Sequence, residues 1–90
     1  MEIIASEEAW LKTQNLNGPT VEAVRFLGYG YEYPEWFNNV MECDIYLEFG
    51  TYYYEDLALT VGCYFLKNRR DTICCIEASD FSRYYNTLPF

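Results

Sequence analysis

From position 42 to position 49 two sets of side chains alternate without a break: Glu42, Asp44, Tyr46 and Glu48 on one parity, Cys43, Ile45, Leu47 and Phe49 on the other. That period of two matches the pleat of a strand, whose successive side chains point to opposite faces. The segment predicts a strand that turns the second set to a core and the first to solvent, ended by Gly50. Runs rich in β-branched and aromatic residues at 51–54, 59–67 and 72–76 continue it as an antiparallel meander, and another strand is expected at 20–27, closed by Gly28 and Gly30. The polar stretch at 67–71 reads as an exposed hairpin loop.

Three short helices are predicted around these strands. Ser6 caps one over 6–13, with Glu7 and Glu8 at the positive end of its dipole and Trp10 and Leu11 facing inward; the turn formers Asn15, Asn17, Gly18 and Pro19 end it. Pro34 opens a second over 34–41, where Trp36, Phe37, Val40 and Met41 form an apolar stripe. Ser79 caps a third over 79–86, with Phe81, Tyr84, Tyr85 and Leu88 on one face. Ninety residues, 51% of them apolar, suffice for one modest core without staples. The expected fold is α+β: a single small domain over 1–90, a curled, barrel-like antiparallel sheet with short helices.

Several functions are disfavoured at once. The chain has no histidine, so neither a Ser–His–Asp nor a Cys–His arrangement is available, and no enzymatic activity is expected. No GxxxxGK[ST] loop is present, and Gly28, Tyr29 and Gly30 are only a fragment of a glycine fingerprint. Cys43, Cys63, Cys74 and Cys75 contain no CxxC spacing, so neither a metal nor another cofactor is expected. The first 25 residues lack a secretory pattern and no apolar run reaches about 18 residues, which leads to an expected cytoplasmic location, no membrane association and free thiols.

Charge is the most directive feature. Fourteen acids against six bases give a net charge of −8, which disfavours direct binding to nucleic acid and favours a basic partner. No lysine or arginine occurs from 26 to 66, a stretch of 41 residues holding seven acids: Glu32, Glu35, Glu42, Asp44, Glu48, Glu55 and Asp56. The same stretch is crowded with tyrosines, which bury large area at interfaces with little loss of entropy.

Two segments resemble a family of small phage and prophage proteins. Gly18, Pro19 and the run Thr-Val-Glu-Ala-Val-Arg-Phe-Leu-Gly at 20–28 are similar to the family's opening Pro-Val-Val-Val-Glu-Ala-Val-Gln-Trp-Thr-Gly strand. Gly62, Tyr64, Phe65, Leu66, Phe81 and Tyr85 stand where the family's closing segment carries Gly-Asp-Trp-Ile-Ile and Cys-Lys-Pro-Asp-x-Phe-x-x-x-Tyr; Cys63 replaces the Asp, and the Pro-Cys pair falls on Cys75 and Ile76. The resemblance covers roughly 35 positions. It implies a phage or prophage origin and a small β-rich fold, and carries over no functional residue.

With that origin, the acidic stretch leads to the expectation of a phage-encoded, anti-CRISPR-like inhibitor, active in the host cytoplasm as a monomer or small homo-oligomer. It would bind a basic nucleic-acid-handling surface of a host defence protein and block substrate access. Same-face side chains on a strand are roughly 6.6 Å apart, of the order of the spacing between successive phosphates of a nucleic-acid strand. Glu42, Asp44, Glu48, Glu55 and Asp56 are the expected source of charge, with Tyr46, Tyr52, Tyr53 and Tyr54 as anchors. Two alternatives compete with it: a sponge that sequesters a nucleotide defence signal through Lys67, Arg69, Arg70 and a nearby tyrosine, and an accessory structural protein of the phage particle.

Overall fold

The structure is a computed structural model that describes residues 3–12 and 19–87. Its elements run β1 (Glu7–Leu11), β2 (Val21–Arg25), α1 (Glu35–Cys43), β3 (Ile45–Glu48), β4 (Thr51–Tyr54), β5 (Leu57–Leu59), β6 (Tyr64–Lys67), β7 (Ile73–Ile76), α2 (Ala78–Tyr84) and β8 (Tyr85–Thr87). The strands pair antiparallel in two sheets, a large one in the order β7-β6-β2-β1-β8 and a small meander in the order β3-β4-β5. The expected α+β architecture is what the chain adopts, and neither sheet closes into a barrel.

Period-two alternation in β2 and β6 sends apolar side chains to both faces of the large sheet. Val24, Phe65 and Phe26, the residue after β2, enter a core with Phe37 and Val40 from α1 and Ile45 and Leu59 from the small sheet. Ala23 and Leu66 face the other way, onto Ala9 and Phe81. There Phe81 stacks at 3.9 Å on Tyr64 and at 5.6 Å on Tyr85, which fastens α2 and β8 to the far side. The large sheet is thus a middle layer, with α1 and the small sheet on one face and α2 on the other.

Four expectations are corrected. The segment expected as a helix over 6–13 is β1, inserted between β2 and β8; pairing on both edges outweighs the local capping signal at Ser6. Thr13, the turn formers Asn15, Asn17 and Gly18, and Leu88 lie outside the described residues. The strand expected over 42–49 begins only at Ile45, because the stripe of Phe37 and Val40 carries α1 on through Cys43 until the Asp44 N–H closes it on the Val40 carbonyl at 2.8 Å. Cys43, expected inward, is therefore exposed on the helix, and Leu47 and Phe49 project beyond the core, Phe49 almost fully exposed at 98%.

The expected strand over 59–67 is two strands in different sheets, β5 and β6, separated by a turn in which Gly62 adopts φ +104°. The third helix stops at Tyr84, so Tyr85 belongs to β8 and Tyr84 is exposed. The second helix follows its predicted stripe, with Pro34 just ahead of its first turn and Glu35 in it. No helix among the described residues is long and apolar enough to cross a membrane.

Candidate functional site

The β3-β4-β5 meander sorts the candidate residues by parity. Register pairs Ile45 with Tyr54, Tyr46 with Tyr53, Leu47 with Tyr52 and Glu48 with Thr51; β5 adds Ala58 beside Tyr53 and Leu57 beside Tyr54. Directly paired residues share a face. Ile45, Tyr52, Tyr54 and Leu59 form the inner face, while Tyr46, Glu48, Thr51, Tyr53 and Ala58 form the outer one.

The inner face holds the meander onto the core. Tyr52 meets Phe26 edge-on at 5.1 Å and Tyr54 meets Phe65 edge-on at 5.1 Å. The Tyr52 hydroxyl also accepts the Tyr29 N–H at 3.3 Å, and the Tyr29 hydroxyl donates to the Ile45 carbonyl at 3.3 Å. Tyr33 completes the attachment: its buried hydroxyl donates to the Gly28 carbonyl at 2.7 Å and accepts the Leu27 N–H at 3.0 Å. Burial pushes the Tyr33 phenol above its ordinary value, partly offset by the Leu27 hydrogen bond. Tyr52 and Tyr54, expected as partner anchors, are instead fixed inward by these contacts; the tight approach at Gly28 gave no sequence signal distinguishing them from Tyr53.

On the outer face Tyr46 and Tyr53 stack across the strand pair, ring centroids 5.3 Å apart and planes 17° apart, with Tyr46 43% exposed. Glu48 is exposed at one end of β3. At the other end the Asp44 carbonyl accepts the Glu55 N–H at 3.0 Å, which gathers Asp44, Glu55 and Asp56 around the β4–β5 turn. The field there registers on Tyr54, whose phenol is raised by burial first and then by Glu55 and Asp44. The ion pair between Lys67 and Asp71 is the only one among the described residues, so none of these acids pairs with a described cation.

Glu42 does not join a row on β3. It sits exposed in the last turn of α1, where a carboxylate meets the negative end of the helix dipole. The row of Glu42, Asp44 and Glu48 around Tyr46 expected from alternation is thereby replaced by Glu48 on one side of the tyrosine pair and Asp44, Glu55 and Asp56 on the other. Four inter-residue steps separate Asp44 from Glu48, so the two acidic ends are roughly 13 Å apart at 3.3 Å per residue. The exposed Leu47 and Phe49, missed as surface residues because their parity matched the core, extend the apolar part of this end of the molecule.

The basic loop is arranged differently from the sponge expectation. Asn68 Oδ1 accepts the N–H groups of Arg70 and Thr72 at 2.9 and 3.0 Å, a side-chain-stabilised turn that leaves Arg69 and Arg70 exposed. Lys67 instead lies 5.4 Å over the Trp36 ring and 3.8 Å from Asp71, apart from the two arginines in role, and the aromatic beside it is a tryptophan. No family model, no curated protein and no solved structure matches the chain.

Proposed function

We propose that this chain is a phage-type inhibitor that binds without catalysis, laying the outer face of the small sheet on a basic, nucleic-acid-handling surface of a host defence protein. One observation carries the reading: the exposed Tyr46, stacked on the half-buried Tyr53, lies between carboxylates that have no ion-pair partner among the described residues, Glu48 on one side and Asp44, Glu55 and Asp56 on the other. A flat aromatic centre with charge at its rim is the pattern of an interface in which buried aromatics supply affinity and rim charge supplies orientation and association rate. Acids at the two ends of β3 offer arginines and lysines two separated points of negative charge, as phosphates along a nucleic-acid backbone do. The two segments similar to phage and prophage proteins supply the biological setting.

Charge reversal tests the reading. Glu48→Lys, Glu55→Lys and Asp56→Lys combined should abolish retention of the partner from host lysate while leaving melting temperature nearly unchanged, since all three side chains are exposed. Glu42→Lys is the control: it lies on α1, relieves an unfavourable helix-dipole contact and should leave binding unaffected. A triple variant that retains the same partner as strongly as the wild type would refute the assignment of this face.

A further inference from the structure

Two thiols meet behind the small sheet. The Cys75 thiol donates to the Cys63 sulfur across 3.7 Å. Register pairs Phe65 with Cys75, so Cys63, two residues before Phe65, lies diagonally across from Cys75 on the same inner face. Cys63 lies just before β6, its N–H on the Thr60 carbonyl at 3.1 Å and its carbonyl accepting the Phe26 N–H at 2.8 Å. The sulfurs must approach to about 2.05 Å to bond, a closure sought from rotation of the two side chains, since the backbone at Cys63 is held to Phe26.

Access and proton inventory fit an oxidation. Both cysteines line a cavity of ≈ 200 Å³, together with Leu57, Leu59, Glu77 and Asp80. Water occupies about 30 Å³ per molecule, so a peroxide fits beside the sulfurs. The hydrogen bond from Cys75 holds the Cys63 thiol below its ordinary value, while the same bond and burial push Cys75 far above its own. Cys63 is the nucleophile of the pair, because the thiolate is the reactive form. Cys43 on α1 and Cys74 on the opposite face of β7 are exposed and stand apart from this pair.

We propose that Cys63 and Cys75 form a modification site, at which an oxidant of the peroxide class closes an intramolecular disulfide between β7 and the turn that joins the two sheets. The Cys63 thiolate attacks one peroxide oxygen and breaks the O–O bond; hydroxide leaves, takes a proton and becomes water. The Cys75 sulfur then attacks the sulfur of the Cys63 sulfenic acid, and the sulfenic hydroxyl departs with the Cys75 proton as a second water. Two thiols and one peroxide give one disulfide and two waters. The inference is independent of the proposed docking face, since both sulfurs lie on the core side of the meander.

The test treats the reduced full chain with hydrogen peroxide, alkylates it under denaturing conditions and maps the cysteines by mass spectrometry. Cleavage after aromatic residues separates Cys43 from Cys63, and fragmentation distinguishes Cys74 from Cys75. The expected product has lost two hydrogens, carries the Cys63 to Cys75 link, melts at a higher temperature than the reduced chain and reverts with dithiothreitol. Cys75→Ser should stop at a sulfenic acid on Cys63 that dimedone traps. Four alkylated thiols after peroxide, or a link made through Cys43 or Cys74, would overturn the proposal, and both readouts are obtained on the wild-type chain.

Discussion

Replacing Gly28 by alanine should be among the most damaging changes of a single methyl group in this protein. Gly28 holds φ +94°, and a Cβ built there lies 2.8 Å from the Tyr52 hydroxyl oxygen and 3.2 Å from Tyr52 Cζ. Gly30 is the internal control, with φ +96° and nothing within 4 Å of its Cβ position. Backbone strain alone, about 1–2 kcal/mol for a side chain at positive φ, sets the expected cost of Gly30→Ala. Gly28→Ala adds overpacking of about 1–3 kcal/mol, for about 2–5 kcal/mol in total. Tyr52→Phe alone forfeits the hydrogen bond from the Tyr29 N–H, about 0.5–1.5 kcal/mol, but in the Gly28→Ala background it also removes the 2.8 Å contact. The double variant should therefore be more stable than the sum of the singles by about 1 kcal/mol. Urea unfolding followed by tryptophan fluorescence measures all four chains. Equal costs for Gly28→Ala and Gly30→Ala, with additive behaviour of Tyr52→Phe, would refute the docking of the meander through Tyr52 on which the orientation of the acidic face depends.

Alkali should unfold the chain by way of its buried phenols. A raised folded value means that the native state holds the Tyr33 proton more tightly than the unfolded chain does, so this stabilisation is complete below about pH 10 and is lost as pH rises above it. Tyr54, Tyr85 and Cys75, raised likewise, act in the same sense. Tyr33→Phe should be less stable at pH 7, having lost two hydrogen bonds, yet decline less steeply above pH 10; parallel pH profiles would contradict the assignment. On the outer face, Tyr46→Ala and Tyr53→Ala should each cost no more than about 1 kcal/mol of stability, while partner affinity falls at least tenfold; wild-type affinity in both would remove the tyrosine pair from the interface.

Local signals carried the reading wherever they pointed to one structure. The stripe of Trp36, Phe37, Val40 and Met41, the Asn68 turn and the β-branched run at β2 each gave an element close to its observed place. Errors arose where a local pattern competed with a longer-range one. Ser6, Glu7 and Glu8 form a good helix start, but Glu7 and Glu8 pair with β2 and the residues after them, Ala9 to Leu11, pair with β8. Alternation at 42–49 was real in the sequence, yet its first two residues belong to a helix that leaves Cys43 exposed, and its last two run past the core. Gly62 was the available sign that residues 59–67 divide between sheets. Of the site, composition revealed the cation-free acidic stretch; which tyrosines face out depended on register, and that is fixed by pairing between segments rather than by any residue alone.

Mutual exclusion between this protein and nucleic acid on the captured partner tests the central claim most directly. Fluorescence anisotropy of a labelled oligonucleotide bound to the partner should fall to the free value as the wild-type chain is added, and the Glu48→Lys, Glu55→Lys, Asp56→Lys variant should leave it unchanged. Raising salt should weaken displacement, since exposed charges act over only about 8 Å at physiological ionic strength and less above it. A ternary complex, in which anisotropy rises on addition of the wild-type chain, would contradict the account.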